Sequence, residues 1–259
     1  MAAHEGLSIL PIVGMPLFRE GTSVSHEVVA ALSGMGEVLR DGDIVVIAQK
    51  IVSKAEGRIA ALAYVEAGAE ANALAARTGR DPSTAQLILD ESAEILRAHP
   101  AAIIARHRSG HVLANAGIDA SNVEGGESQA VLLWPLEPDA SARGIRSQLR
   151  SLGANVGVVI ADSMGRAWRI GTCGTAIGCA GVTVLDDRRG RDADLYGRTL
   201  QATVIAVADS IAAAAVLAMG EGAEGTPAAL VRGAGRWVID GDGPGAVSGL
   251  RPVEQDMFR

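Results

Sequence analysis

Two short apolar runs constrain the fold of this chain most strongly. Residues 44–48 (Ile-Val-Val-Ile-Ala) follow the turn Asp41-Gly42-Asp43, and residues 156–161 are apolar up to Asp162-Ser163. Runs of this length, rich in β-branched side chains and bounded by turn residues, are typical of buried strands. A third strand is predicted over 228–231. Because polar pairs at the ends of buried strands commonly bind ligands, we expect a ligand beside Asp162.

Helical patterns connect these strands. An amphipathic helix with Ser25 as its N-cap is predicted over 25–39. Further helices are predicted over 60–77, 81–97, 140–152 and 199–219. Two strands are predicted over 101–105 and 111–114, and the tail from residue 233 onward is predicted to be irregular. We find no internal repeat and no separating linker, so a single unit over 1–259 is expected.

Composition excludes several classes of protein. The 30 acidic and 23 basic side chains give a net charge of −7, which disfavours general binding to nucleic acid or anionic membranes. No stretch approaches the about 18 apolar residues that span a bilayer, and no secretory signal pattern opens the chain, so a cytoplasmic protein is expected. Cys173 and Cys179 match neither a disulfide framework nor a zinc site and are predicted to be two small buried residues near a Gly-rich turn.

The segment after the first buried strand carries basic side chains suited to phosphate. Lys50, Lys54 and Arg58 lie within ten residues of one another, and the compact ammonium of Lys54 is the strongest candidate for a phosphate contact. Arg58 could donate two hydrogen bonds to a carboxylate or phosphate. A solvated basic turn is the alternative interpretation.

A second polar segment, residues 115–122, offers hard oxygen ligands. Asp119 and Asn122 lie three residues apart among small side chains, and carboxylate and amide oxygens suit Mg²⁺ or Mn²⁺. The alternative is an Asx turn followed by a helix cap.

The segment Asp162-Ser163-Met164-Gly165-Arg166 is the strongest candidate site. Its carboxylate and hydroxyl could bind a metal, and Arg166 and Arg169 could donate to the anionic group that the metal activates. The alternative is a capped helix start after a strand.

The Gly-rich segment 219–226 places glycines on both sides of Glu221. This arrangement allows close backbone approach to a nucleotide or metal, although Gly220 or Gly222 could equally be a helix C-cap. Neither a P-loop nor a Rossmann fingerprint occurs. No histidine has the spacing of a metal ligand or a catalytic base.

Together and in this order, these motifs resemble the coenzyme F420-0:L-glutamate ligase family between about residues 9 and 233. The matching segments are Gly14–Phe18, Glu20-Gly21, Asp41–Asp43, Ser53–Arg58, Asn115–Val123, Asp162–Arg166, Ala176–Gly178, Asp194–Arg198 and Met219–Gly222. The run Thr172-Cys173-Gly174-Thr175 departs from the family pattern and leaves the polarity of that loop open. No appended nitroreductase-like domain is expected.

The resemblance implies a mixed α/β protein with a family-specific fold that works as a homodimer, with two interleaved subdomains as an alternative to a single unit. It implies an enzyme that couples GTP hydrolysis to an amide bond between L-glutamate and the deazaflavin precursor coenzyme F420-0, through an acyl phosphate. A metal-dependent nucleotide phosphohydrolase is the main alternative, and a carrier that binds nucleotide without turnover is a third.

The family's site residues transfer onto matching positions, with Lys54 and Asp162 implied as catalytic. Asp119 and Asp162 would hold one Mg²⁺ or Mn²⁺, Ser163 and Glu221 would hold a second, and a monovalent cation such as K⁺ could accompany them. The implied nucleotide site comprises Met15, Pro16, Leu17, Phe18, Gln49, Lys50, Lys54, Asn122, Met219, Gly220, Glu221, Gly222, Ala223, Glu224, Gly225 and Thr226.

Overall fold

The computed structural model describes residues 6–123 and 129–258. The strands are β1 Ser8–Pro11, β2 Ile44–Ala48, β3 Ile59–Ala61, β4 Ser92–His99, β5 Ala102–His107, β6 Val112–Ala114, β7 Ala130–Leu132, β8 Gly157–Arg166, β9 Arg169–Ala180, β10 Leu185–Asp187, β11 Val204–Ala206 and β12 Ala228–Arg232. The α-helices are α1 Val24–Gly34, α2 Gln49–Ala55, α3 Ala69–Thr78, α4 Pro82–Glu91, α5 Pro138–Arg150 and α6 Val207–Met219. Short 3₁₀ turns occur at Leu62–Tyr64, Asn115–Gly117, Gly235–Trp237, Ala246–Gly249 and Val253–Gln255.

The central sheet has the strand order β1-β12-β2-β8-β9. β2 and β8 are parallel, whereas the other neighbouring strands are antiparallel. This mixed topology is not that of a doubly wound nucleotide-binding sheet, whose strands are mostly parallel. The predicted mixed α/β class, with neither a P-loop nor a Rossmann fold, is therefore confirmed.

Side chains of the central strands alternate between two apolar layers. Val45 and Ile47 of β2 lie in the layer that contains α1 and α5. Ile44 and Val46 lie in the opposite layer, against α6. Because both faces are covered, both β2 and the first half of β8 are apolar throughout, as the sequence predicts.

The smaller sheets form a second packing region. The sheet β4-β5-β6 packs on α3 and α4, while β3 pairs with β7 and β10 pairs with β11. The tail is irregular apart from short turns, and the fully buried Arg146 binds it through Asp242 at 2.7 Å and the carbonyl of Ile239. Cys179 is buried, as predicted, whereas Cys173 is only partly buried.

Several predicted elements have different bounds. The first helix begins after Ser23, whose side chain caps it, and ends at Gly34 rather than at residue 39. The helix predicted over 60–77 begins only at Ala69, because residues 59–61 pair with β7 as β3. The helix predicted over 199–219 begins at Val207, after β11.

Two further predictions are wrong in type. The helix predicted over 81–97 ends at Glu91, and the helix-prone segment that follows forms β4 because it pairs with β5. Asp162-Ser163 lies neither at a strand end nor at a capped helix start, since β8 continues through Arg166 as one arm of a hairpin with β9. The segment that begins at Gln49, for which a solvated basic turn was the alternative interpretation, instead forms α2.

Glu91 at the end of α4 is a buried carboxylate surrounded by cations. It accepts from Arg58 and Arg108, each at 2.8 Å, and lies 3.5 Å from Nε2 of His107. Burial alone would raise the pKa of the Glu91 carboxyl, but His107 and the two guanidiniums lower it to about 2. The ionised form therefore stabilises the folded protein.

We expect Glu91→Gln to lower the free energy of unfolding by about 3 kcal/mol at neutral pH, since the lowered pKa reports stabilisation of the charged form. The group has an ordinary pKa of 4.5 and a folded value of about 2, so its contribution is present above pH 4.5 and is lost as the pH falls toward 2. Urea unfolding of both proteins between pH 7 and pH 2.5 measures the difference.

Glu66→Gln provides the matched control, because it removes the same charge from an exposed side chain. It should change stability by less than about 0.5 kcal/mol. A difference between Glu91→Gln and the parent that stays constant down to pH 2.5 would contradict this account of the ion network.

Candidate functional site

A cavity of about 410 Å³ lies beside the end of β2 and the middle of β8. Ala48 and Ala161 are register partners in these parallel strands, so Gln49 and Asp162 emerge side by side. The lining residues are Met15, Pro16, Leu17, Phe18, Ala48, Gln49, Lys50, Ile51, Lys54, Asn122, Ala161, Asp162, Ser163, Val216, Met219, Gly220, Glu221, Gly222, Ala223, Glu224, Gly225, Thr226 and Pro227.

The structure thus brings together all the residues implied for the nucleotide site, although their roles stay predictions. Among the residues implied for metal, Asp162, Ser163 and Glu221 also line the cavity. Asp119 is not a lining residue and reaches the site through its ion pair with Lys50.

Lys50 and Lys54 are the only lysines of the chain. They lie four residues apart on α2 and therefore on one face of that helix. Nζ of Lys50 lies 2.7 Å from Oδ2 of Asp119, and Nζ of Lys54 donates to the carbonyl of Asn122 at 2.7 Å. Burial, and then the neighbouring Lys50 ammonium, lowers the pKa of Lys54. An anion at this place would favour the charged form of Lys54.

The segment around Asp119 forms the Asx turn of the alternative interpretation, while its role as a metal ligand stays a prediction. Oδ1 of Asp119 accepts from the backbone N–H of Ser121 at 2.6 Å, which is the hydrogen bond of an Asx turn, and Asn122 takes a φ of 57°. Burial would raise the pKa of Asp119, but Lys50 and the Ser121 N–H lower it. The turn holds an ionised carboxylate against Lys50, which lines the cavity.

Asp162 is held on both of its carboxylate oxygens. Nε1 of Trp134 donates to Oδ2 and the backbone N–H of Ser163 donates to Oδ1, each at 2.8 Å. The residue keeps partial contact with the cavity, yet the protein surrounds its carboxyl group, and this burial raises its pKa to about 6. The negative charge of Asp119 acts in the same direction.

The loop after α6 closes the cavity. Gly220 ends the helix with a φ of 80°, as the C-cap interpretation predicts, and Glu224 folds back to accept from the Gly222 N–H at 2.7 Å. Glu221 accepts from the hydroxyl of Thr172 at 3.2 Å. Thr172, which departs from the family pattern, therefore adds a polar contact at this edge.

The two arginines proposed as donors lie elsewhere. Arg166 and Arg169 face each other at the end of the β8–β9 hairpin, exposed and outside the lining of the cavity. The prediction that they approach the activated anion depended on Asp162 being at a strand end, whereas the hairpin carries them onward. Arg58 also lies outside the lining and instead binds Glu91 and the carbonyl of Trp134.

The donor set fits a hard divalent cation. Asp162 brings a carboxylate whose described hydrogen bonds come from two N–H groups, and Ser163 and Glu221 bring further oxygens to the same cavity. Within residues 6–123 and 129–258, no group of three or more His, Cys, Asp or Glu side chains is arranged to hold a metal. Mg²⁺ commonly uses one or two carboxylates and takes its other ligands from water and substrate phosphate, which matches this set.

Trp134, whose indole N–H donates to Asp162, was not among the residues predicted from the sequence. Its side chain is fully buried beside the rings of His107 and His111, at centroid distances of 5.0 and 5.4 Å. One signal was available, since aromatic residues make up only 3% of the chain. Because tryptophan is rare in this aliphatic chain, each tryptophan could have been considered as a candidate for a specific contact.

Comparison with known proteins gives the family. The model of the family described as F420-0:Gamma-glutamyl ligase matches residues 13–233. The chain is 45% identical over 255 residues to a protein named Coenzyme F420:L-glutamate ligase from Methanothermobacter thermautotrophicus, covering 98% of this chain and 99% of the relative. Proteins of the same name from Methanopyrus kandleri and Archaeoglobus fulgidus are 43% and 41% identical, each over 98% of this chain and over 99% and 96% of the relatives.

The chain belongs to the F420-0:gamma-glutamyl ligase family. The resemblance inferred from the motifs is thereby confirmed, and the family match spans every element that lines the cavity. As for membrane association, none of the helices described in this family member is long and apolar enough to cross a bilayer.

Proposed function

We propose that this protein forms an amide bond between L-glutamate and the deazaflavin precursor coenzyme F420-0, with GTP as the phosphoryl donor. The relatives named above are coenzyme F420:L-glutamate ligases. The observation that carries the proposal is one cavity that is lined both by the two lysines of the chain and by Asp162. Such a cavity offers positive charge for phosphates beside oxygen ligands for a divalent cation.

The proposed chemistry follows from the low reactivity of a carboxylate toward an amine. A carboxylate oxygen of the precursor attacks the γ-phosphorus of GTP, and GDP leaves. The amine of glutamate then attacks the acyl phosphate carbonyl, so that an amide forms and phosphate and a proton are released. This order places phosphoryl transfer before glutamate enters.

Lys50 and Lys54 are proposed to bind the phosphates, because both line the cavity and an ammonium forms charge-assisted hydrogen bonds to phosphate. The loops Met15–Phe18 and Met219–Thr226 would enclose the rest of the nucleotide. Asp119 and Asp162 are proposed to hold one divalent cation, and Ser163 and Glu221 a second. When bound, Mg²⁺ or Mn²⁺ supplies neutralisation of the phosphate charge.

A homodimer is part of the proposal. Two segments each carry two large side chains that are more than 80% exposed. These side chains are Trp168 and Ile170 at the end of the β8–β9 hairpin, and Leu195 and Tyr196 in the loop between β10 and β11. Large apolar side chains exposed together commonly mark a protein interface. Light scattering tests this, and a monomeric mass at assay concentration would contradict the dimer.

Measuring phosphate release distinguishes the proposed ligase from a nucleotide phosphohydrolase. The protein is incubated with GTP and Mn²⁺, with or without the precursor and glutamate, and both product mass and phosphate are followed. We expect phosphate release to require both substrates and to match amide formation. Equal release without them would identify a phosphohydrolase, and GTP binding with no turnover under any condition would identify a carrier.

Isotope transfer tests the acyl phosphate. With ¹⁸O in the reacting carboxylate of the precursor, we expect one labelled oxygen in each released phosphate, since that oxygen bonds to phosphorus before the amine displaces it. Mass spectrometry of the phosphate gives the result. Unlabelled phosphate together with full amide formation would show that water or a protein group accepts the phosphoryl group instead.

A further inference from the structure

Trp134 is the one side chain that hydrogen-bonds to a carboxylate oxygen of Asp162 among the contacts described above. Its indole N–H donates to Oδ2 at 2.8 Å, and the residue itself is fully buried. An indole N–H donates and cannot accept, so it can neither bind a metal nor remove a proton. Its effect on Asp162 is therefore limited to fixing the carboxylate and stabilising its charge.

The backbone opposite Trp134 is shaped to admit the indole. Asn115, Ala116 and Gly117 are consecutive and have φ values of 53°, 52° and 77°, a left-handed run that is costly for residues other than glycine. A Cβ at Gly117 would clash with Nε1, Cε2 and Cδ1 of Trp134. The position therefore needs glycine both for its φ and for the space that it leaves beside the N–H donor.

The remaining sides of the indole are also enclosed. His107 lies tilted at 52° and His111 packs edge-on against the ring. The backbone carbonyl of Trp134 accepts from Nε of Arg58 at 2.9 Å, and Arg58 is itself bound to Glu91. These contacts fix the ring and its N–H direction.

The two aspartates of the site differ in what holds them. Asp162 is held by two N–H groups that belong to a packed ring and to a strand. Asp119 is held by one turn N–H and by the ammonium of Lys50, at the end of a flexible chain. Asp162 is thus the fixed carboxylate, with a lone pair on each oxygen left for a ligand.

We propose that Trp134 is a positioning residue that orients the Asp162 carboxylate for a divalent cation, and that Gly117 provides the space this requires. The inference rests on the proposed role of Asp162 in binding that cation. Outer partners that orient a metal ligand typically contribute a factor of about 10 to 100 in metal affinity. A tryptophan that only fills the core would contribute to stability and leave metal affinity unchanged.

Trp134→Phe tests the inference, because it keeps an aromatic ring and deletes the N–H. Binding of Mn²⁺ alone to metal-free protein is measured from the electron paramagnetic resonance signal of the free ion. We expect affinity to fall about 10- to 100-fold and the Mn²⁺ concentration for half-maximal ligation to rise, while excess Mn²⁺ restores kcat. A packing defect would instead lower kcat at every Mn²⁺ concentration.

Further variants separate the possible failures. Trp237→Phe is the matched control, since Trp237 lies outside the lining of the cavity and has no proposed role, and it should bind Mn²⁺ like the parent. Gly117→Ala keeps the indole but displaces it, so it should also weaken binding and serves if Trp134→Phe does not fold. Unchanged affinity in both Trp134→Phe and Gly117→Ala overturns the inference. Mn²⁺ binding by Asp162→Asn that equals that of the parent, or no Mn²⁺ binding by the parent itself, would instead overturn the proposed metal site.

Discussion

Asp162→Ala is expected to abolish ligation, with activity falling by at least about a thousandfold. The substitution removes the buried carboxylate that we propose as a metal ligand and leaves the N–H of Trp134 without its acceptor. Asp162→Asn should be equally inactive, because its amide keeps an oxygen for Trp134 but loses the negative charge. Product formation by mass spectrometry at saturating GTP and Mn²⁺ gives the result.

Stability separates this effect from unfolding. A carboxylate buried without a cation destabilises the folded state, so metal-free Asp162→Asn should melt at the parent's temperature or above it. Asp90→Asn removes a charge from an exposed position and should keep full activity. A folded Asp162→Asn protein with turnover near that of the parent would show that Asp162 has no part in the chemistry.

Lys54→Ala should weaken GTP binding about 10- to 100-fold, because a charge-assisted hydrogen bond to phosphate contributes about 1.5–3 kcal/mol. Burial and the Lys50 ammonium lower the pKa of Lys54, so a bound anion would stabilise the charged form of this side chain. Calorimetric titration with GTP measures the change, and Lys54→Arg should retain part of the affinity through its charge.

The matched control is Arg77→Ala, which removes a positive charge from an exposed site on α3. It should bind GTP as the parent does. If Lys54→Ala and Lys54→Arg both bind GTP as tightly as the parent, Lys54 is a surface residue with no contact to phosphate, and the orientation proposed for the nucleotide is wrong.

The elements predicted most accurately are those whose own residues determine them. β2 was predicted over its full length, and α5 was displaced by only two residues, because a short β-branched run and a strong amphipathic pattern each specify one structure. Residues 92–99 have helix-prone side chains but form β4, since β5 supplies a ladder of hydrogen bonds from a distant part of the chain. Local propensity contains no information about that partner strand.

The candidate site likewise contains some residues that were predicted from the sequence and others that were not. Lys54 and Asp162 were found from the sequence because each follows a buried apolar run, and the parallel register of β2 and β8 places those runs side by side. Trp134 was not found, because it follows β7 in a different sheet and meets Asp162 only through tertiary packing. Arg166 and Arg169 were placed wrongly because β9 extends the hairpin beyond the cavity.

Because both lysines of the chain lie on one face of α2, the proposed phosphate site can be labelled selectively with an isotope. Reductive methylation with ¹³C-formaldehyde would label only these two side chains and the α-amino group, and it would leave the ammonium charges in place. The NMR spectrum would contain one methyl resonance from the lysine beside Asp119 and another from the lysine beside Asn122. Each stage of nucleotide binding and turnover could then be followed at two side chains, in solution, without assigning any other residue.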